Sequence, residues 1–94
     1  MTQALKDQRA RIDALDDKII DLLAERMDIV REVGFIKAEN NLTLIQSDRV
    51  NEVRERCATR GAKKGLNPEL VRRIYNEIFD EAHQIEQLII SKSS

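Results

Sequence analysis

Apolar residues recur through the first part of the chain at Leu5, Ile12, Leu15, Ile19, Leu22, Leu23, Val30, Val33 and Ile36. Spacings of three, four and seven belong to one face of an α-helix. From Leu5 to Glu39 there is no proline and a single glycine, Gly34, so one unbroken helix is predicted over the whole stretch. A helix of about 35 residues is ~50 Å long. A globe folded from 94 residues is narrower than that. Such a helix cannot bury its stripe against the short remainder of its own chain. The expectation is an intertwined homodimer in which a second chain covers it.

Asn40-Asn41-Leu42-Thr43 breaks the pattern with poor helix formers. Ser47-Asp48 reads as an N-cap followed by an acid in the first turn. Val50, Val53 and Cys57 then give a short second helix one face to bury. The segment Arg60-Gly61-Ala62-Lys63-Lys64-Gly65 reads as a loop, with Gly61 as the stop. Asn67-Pro68-Glu69 opens a third helix, Asn67 as cap and Pro68 at the first helical position. Its apolar positions are Leu70, Val71, Ile74, Ile78, Phe79, Ala82, Ile85, Leu88 and Ile89, and Ser91-Lys92-Ser93-Ser94 is expected to fray. The fold class is therefore all-α, three helices (long, short, long), in one domain spanning residues 1–94.

Composition narrows the function. Hydrophobic residues make up 41% and charged residues 35%, which excludes a disordered tail. No apolar run approaches the ~20 residues of a membrane span. The opening MTQALKDQRA lacks the apolar core of an export signal, so the expected location is cytoplasmic. Sixteen Lys and Arg against seventeen Asp and Glu leave a net charge of -1, which argues against a nucleic-acid binder. The single cysteine, Cys57, excludes an internal disulfide and a cysteine-rich zinc site. With no Trp, one Tyr and two Phe, the core must be Leu, Ile and Val.

Some charges stand in the wrong place. Wound at ~100° per residue, Ile12, Leu15, Ile19, Leu22, Val30 and Val33 share an arc of roughly 80°. Arg26 and Lys37 fall inside that arc, and Arg9 lies just outside one edge. Each cation alone reads as a snorkelling side chain, its stem on the core and its head in water. Two on one seam, with no acid between them on the stripe, call for carboxylates from a partner helix or from a ligand. A cavity lined by such cations suits a small anion with more than one carboxylate. Glu86 is the complementary oddity, falling within the apolar arc of the third helix near Tyr75, Phe79 and Ala82. It reads either as the partner of a bundle cation or as a desolvated, protonated donor. His83 projects to the polar side and reads as solvated, and Cys57 as a small buried apolar residue. There is no phosphate-cradling glycine loop and no metal-ligand spacing, so neither a metal nor a cofactor is expected.

These residues resemble the small all-helical chorismate mutases. Arg9-Ala10-Arg11-Ile12-Asp13-Ala14-Leu15-Asp16 is similar to the family's opening R-x-x-I-D-x-L-D. Leu22-Leu23-Ala24-Glu25-Arg26 is similar to its L-L-x-x-R, and Val33-Gly34-Phe35-Ile36-Lys37 to its V-x-x-x-K. Gln46-Ser47-Asp48-Arg49 sits where the family opens its second helix. The resemblance runs over about residues 5 to 90. It implies an intertwined homodimer with two shared active sites, and conversion of chorismate to prephenate on the route to phenylalanine and tyrosine. That reaction is a Claisen rearrangement within one molecule and needs no cofactor. By resemblance Arg9 reaches into the other chain's pocket and, with Arg26, grips the two carboxylates of the substrate. Lys37 donates to the ether oxygen and a carboxylate, and Arg49 orders the pocket. The Gln46 backbone meets the ring hydroxyl, and Glu86 stands for a Gln or Glu that donates to the ether oxygen.

Three positions depart from the commonest bacterial pattern. Val50 stands where many members carry a Glu for the hydroxyl at ring carbon four, Ala82 where a small hydroxyl residue is common, and Glu86 where Gln is commoner. Relatives with an apolar residue at position 50 include isochorismate-pyruvate lyases and mutases of 4-amino-4-deoxychorismate. The pair Glu86 and Val50 resembles the latter. Chorismate mutase remains the first expectation. A non-enzymatic helical interaction module is the alternative of another class, and would carry its cations on an exposed face rather than on the core stripe.

Overall fold

The computed structural model describes residues 2–93. A 3-10 turn, Thr2–Leu5, leads into α1, Lys6–Asn40; α2 spans Ser47–Lys63 and α3 Pro68–Ser93. The long unbroken first helix is present as the apolar spacing predicts. It ends where Asn41 turns left-handed (φ 52°), and the Leu42 N–H donates to the Lys37 carbonyl at 3.0 Å.

Local boundaries correct the sequence reading in three places. Ser47 is the first helical residue of α2 rather than its cap: Gln46 holds the cap position, and no side chain bonds there. Gly61 does not stop α2 but lies inside it, buried. The stop is Gly65, at φ +85°, with the Gly65 N–H on the Ala62 carbonyl (3.1 Å) and the Leu66 N–H on the Gly61 carbonyl (2.9 Å), a Schellman closure. Gly61 is kept for space: a Cβ there would stand 2.7 Å from Val71 Cγ2. The expected frayed tail is helical through Ser93, while Ser94 lies outside the described residues. Asn67 caps α3 as expected, its side-chain oxygen accepting from the Glu69 N–H at 2.9 Å.

α3 packs against both other helices, whereas α1 and α2 make no close backbone approach to each other. α2 returns antiparallel along α3, tied by Arg72 to Glu55 (2.9 Å) and Arg54 to Asn76 (2.9 Å). α1 and α3 run in the same sense, Arg26 meeting Tyr75 and Phe79, and Lys37 meeting Glu86. Only the C-terminal half of α1 is covered, and its buried residues are Val30 and Gly34. Gly34 permits the close crossing, since a Cβ there would lie 3.1 Å from Ile89 Cδ1 and 3.4 Å from Glu86 Cα. In the other half Ile12, Leu15, Ile19 and Leu22 are 54–64% exposed, although they share the stripe with Val30. The buried apolar set is Val30, Val53, Ala58, Val71, Phe79 and Ala82.

Candidate active site

The space where the three helices converge is an open-sided cavity of about 210 Å³. α1 contributes Arg26, Val30, Val33 and Lys37; α2 and the residue before it contribute Gln46, Arg49, Val50 and Val53; α3 contributes Phe79, Ala82, His83 and Glu86. Seven of the eight residues singled out by sequence thus meet at one cavity. Arg9 is the exception. It lies seventeen residues before Arg26 on the same helix, about 25 Å away at ~1.5 Å per residue, and lines an exposed hollow with Gln3, Lys6, Ala10 and Asp13.

Lys37 is held by two acceptors. Its Nζ donates to the Leu44 carbonyl at 2.5 Å and to Glu86 Oε1 at 2.6 Å. The acid missing from the apolar stripe of α1 is therefore supplied by α3 of the same chain, and both side chains of the pair are largely buried, 11% and 6% exposed. An ammonium has three donors, so one remains for the cavity. The second oxygen of Glu86 has no protein partner among the described residues, and no buried polar side-chain atom is left unsatisfied. That oxygen is accordingly not sealed from the cavity.

Arg26 has no carboxylate partner among the described residues. Its guanidinium lies instead over the rings of Tyr75 (5.8 Å) and Phe79 (6.0 Å), which pack against each other at 5.9 Å with planes tilted 57°. A cation over ring faces keeps its edge donors free for a planar anion. A hydrogen bond with Cys57, and after it burial, push the Tyr75 hydroxyl above the usual tyrosine range; the charges of Arg26 and Arg56 oppose this. The ring therefore stays neutral under Arg26 through ordinary pH. Cys57 is half-buried rather than fully buried as expected.

Arg49 lines the cavity but pairs with Glu52, one turn on, at 2.7 Å on the exposed side. Val50 adds an apolar wall, and Ala82 is buried beneath. His83 is a correction: it is half-buried and lines the cavity rather than standing in solvent. Its phase puts it at the edge of the apolar arc of α3, and only the position of α2 makes that edge an inner wall. Tyr75 was visible in the sequence as a neighbour of Glu86 in projection, but not as a support for Arg26. Among the described residues no three His, Cys, Asp or Glu side chains gather where a metal could sit. The cavity holds cations at its walls and an apolar patch between them. Such a site binds and orients a small anion; it has no nucleophile paired with a base.

The pattern of the chorismate mutase type II family matches residues 8–87, and the chain belongs to that family of isomerases. It is 30% identical over 90 residues to the 4-amino-4-deoxychorismate mutase of Streptomyces venezuelae, covering 96% of this chain and 87% of that one. With the enzyme of the same name from Streptomyces pristinaespiralis it shares 31% over 85 residues, 90% of this chain and 66% of the other. It is also 30% identical over 84 residues to the bifunctional chorismate mutase/prephenate dehydratase of Escherichia coli, covering 89% of this chain but 22% of that protein.

Proposed function

We propose that this chain converts chorismate to prephenate, as one domain acting in a homodimer whose two sites each draw Arg9 from the opposite chain. The observation that carries the reading is the convergence of Arg26 and Lys37, each with donors to spare, over an apolar floor. The rearrangement breaks one C–O bond and forms one C–C bond within a single molecule, so no proton or group is exchanged with the protein. Two contributions remain. Arg26 and Arg9, on the two carboxylates, hold the enolpyruvyl arm over the ring and remove the cost of finding that conformer. Lys37, from one side, and Glu86 when protonated, from the other, donate to the ether oxygen as it gains negative charge. Gln46 and Arg49 line the wall near the ring substituent, and Val50 and Ala82 shape it.

The homodimer is supported by what the single chain leaves bare. A compact protein of 10.9 kDa exposes roughly 5,600 Å², whereas this chain exposes 7441 Å². Its radius of gyration is 17.1 Å, against about 12 Å for a compact chain of this length. The excess surface includes the stripe Ile12, Leu15, Ile19 and Leu22, which leads directly to Arg9 along α1. Covering this stripe with a second copy brings that copy's Arg9 toward a neighbouring pocket. Among the described residues no helix is long and apolar enough to cross a membrane; a cytoplasmic location is part of the same proposal.

Val50 favours a second reading, a mutase of 4-amino-4-deoxychorismate. It presents an apolar side chain to the cavity, and the two Streptomyces relatives carry that activity in their names. The test is to incubate the protein with chorismate, 4-amino-4-deoxychorismate and isochorismate in parallel, following loss of ultraviolet absorbance and release of pyruvate. Fastest turnover of chorismate is expected. Turnover of isochorismate alone, with pyruvate released, would replace the reading with a lyase; turnover of none would leave the binding module.

A further inference from the structure

One polar side chain on the cavity wall has no task in the proposed chemistry. His83 is half-buried, lines the cavity, and makes no hydrogen bond, ion pair or ring contact among the described residues. Its direction follows from helical phase. At ~100° per residue His83 lies between Arg72 and Asn76 around α3, and these are the residues that tie α3 to α2. Tyr75, Ala82 and Glu86 lie on the side turned to α1. The antiparallel pairing of residues 54 and 55 with 76 and 72 carries on to place His83 across from the start of α2. There Gln46, Arg49 and Val50 line the same wall. The pocket thus has a carboxylate-binding side on α1 and a separate polar corner on the α2 side, in which the imidazole is an uncharged-capable group with both nitrogens available.

We propose that His83 is a specificity-determining residue: it meets the polar ring substituent of the substrate, the hydroxyl or amine away from the two carboxylates. This rests on the proposed function. A neutral imidazole can accept a hydrogen bond from a hydroxyl or from an ammonium. An imidazolium can donate to a hydroxyl but repels an ammonium. His83 therefore discriminates by its charge, tolerating both substituents when neutral and favouring the hydroxyl when protonated. The charged groups lining the cavity around it are Arg26 and Lys37 from α1, Arg49 from α2 and Glu86 on α3 itself. The fixed cations act on the amine at every pH, and Glu86 is the carboxyl of the same cavity, so the test must separate it from His83.

The test measures kcat/KM for chorismate and for 4-amino-4-deoxychorismate from about pH 5 to 7.5, where an alkylammonium keeps its proton and histidine titrates. The ratio of the two cancels every ionisation that serves the parts the substrates share. In the parent, the ratio of chorismate to amine should rise about tenfold toward the acid end, as one added like charge at contact dictates. In His83→Asn and His83→Gln the ratio should be level across the range. Glu86→Gln should keep the parent's slope. A slope that survives in both histidine variants, or vanishes in Glu86→Gln, would assign the discrimination to Glu86 and overturn the proposal. A level ratio in an active parent would overturn it too. A parent that turns over neither compound would overturn the proposed function and this inference with it.

Discussion

Arg26 owes its usefulness to what it lacks. A half-buried guanidinium without a carboxylate is costly unless something else receives its charge, and here two ring faces do so while leaving its donors free. Arg26→Ala should lower kcat/KM about a hundredfold or more while the helices form normally by circular dichroism, because the lost partner is the substrate rather than the protein. Tyr75→Leu should raise KM about fivefold, the worth of ~1 kcal/mol of cation–π support, and Tyr75→Phe should restore it. A leucine variant with parental KM would remove Tyr75 from the account. In the proposed reaction Glu86 serves only as a carboxylic acid that donates to the ether oxygen, because a carboxylate would repel the charge developing there. Glu86→Gln keeps the shape and a donor without the charge, so its kcat/KM at neutral pH should equal or exceed the parent's. A glutamine variant well below the parent would remove the donor role of Glu86. Arg26, Lys37 and Glu86 were legible in the sequence because charges on an apolar arc are conspicuous. Their partners were not, since neither the rings under Arg26 nor the Leu44 carbonyl on Lys37 follows from periodicity.

The helices themselves were legible where long-range packing does not intervene. α1 emerged from spacing alone, and Asn67-Pro68 marked the start of α3 because cap and ring act locally. The end of α2 was misplaced because two glycines stand four residues apart, and their roles differ by tertiary contact. Gly65 supplies the left-handed backbone, whereas Gly61 supplies room for Val71. Gly61→Ala should therefore destabilise the protein even though alanine is the better helix former by about 1 kcal/mol. Overpacking against a buried, branched side chain costs about 1–3 kcal/mol, so a net loss of about 1 kcal/mol should lower Tm by roughly 4–8 °C. A raised Tm would contradict the crowding at Val71. The α2–α3 clasp adds a pH dependence. The hydrogen bond from Arg72 is the main cause that holds the Glu55 carboxyl below its ordinary value; desolvation opposes it, and the charges of Arg72 and Arg54 add to it. A carboxyl lowered on folding stabilises the fold above its unfolded value, and that contribution is lost as pH falls through the folded one. The Tm difference between the parent and Glu55→Gln should hold at neutral pH and close on acidification.

For the molecule as a whole, the proposed homodimer rests on what one chain leaves uncovered. Its apolar stripe runs the full length of α1, but α3 covers only the second half, and Arg9 stands at the uncovered end. The expectation of a second chain came from the helix's length against the chain's size. The face proposed for it is the one on which Ile12, Leu15, Ile19 and Leu22 are exposed, in line with the buried Val30. A pocket completed by Arg9 from the opposite chain makes a quantitative demand on mixed dimers. Arg9→Ala and Lys37→Ala chains, each inactive alone, are unfolded together in equal amounts, refolded, and assayed with chorismate. Half of the dimers are then mixed, and each mixed dimer holds one intact site and one doubly defective site. Recovery of about a quarter of the parent activity is expected. Mixed dimers with no recovered activity, or an Arg9→Ala chain active by itself, would contradict it.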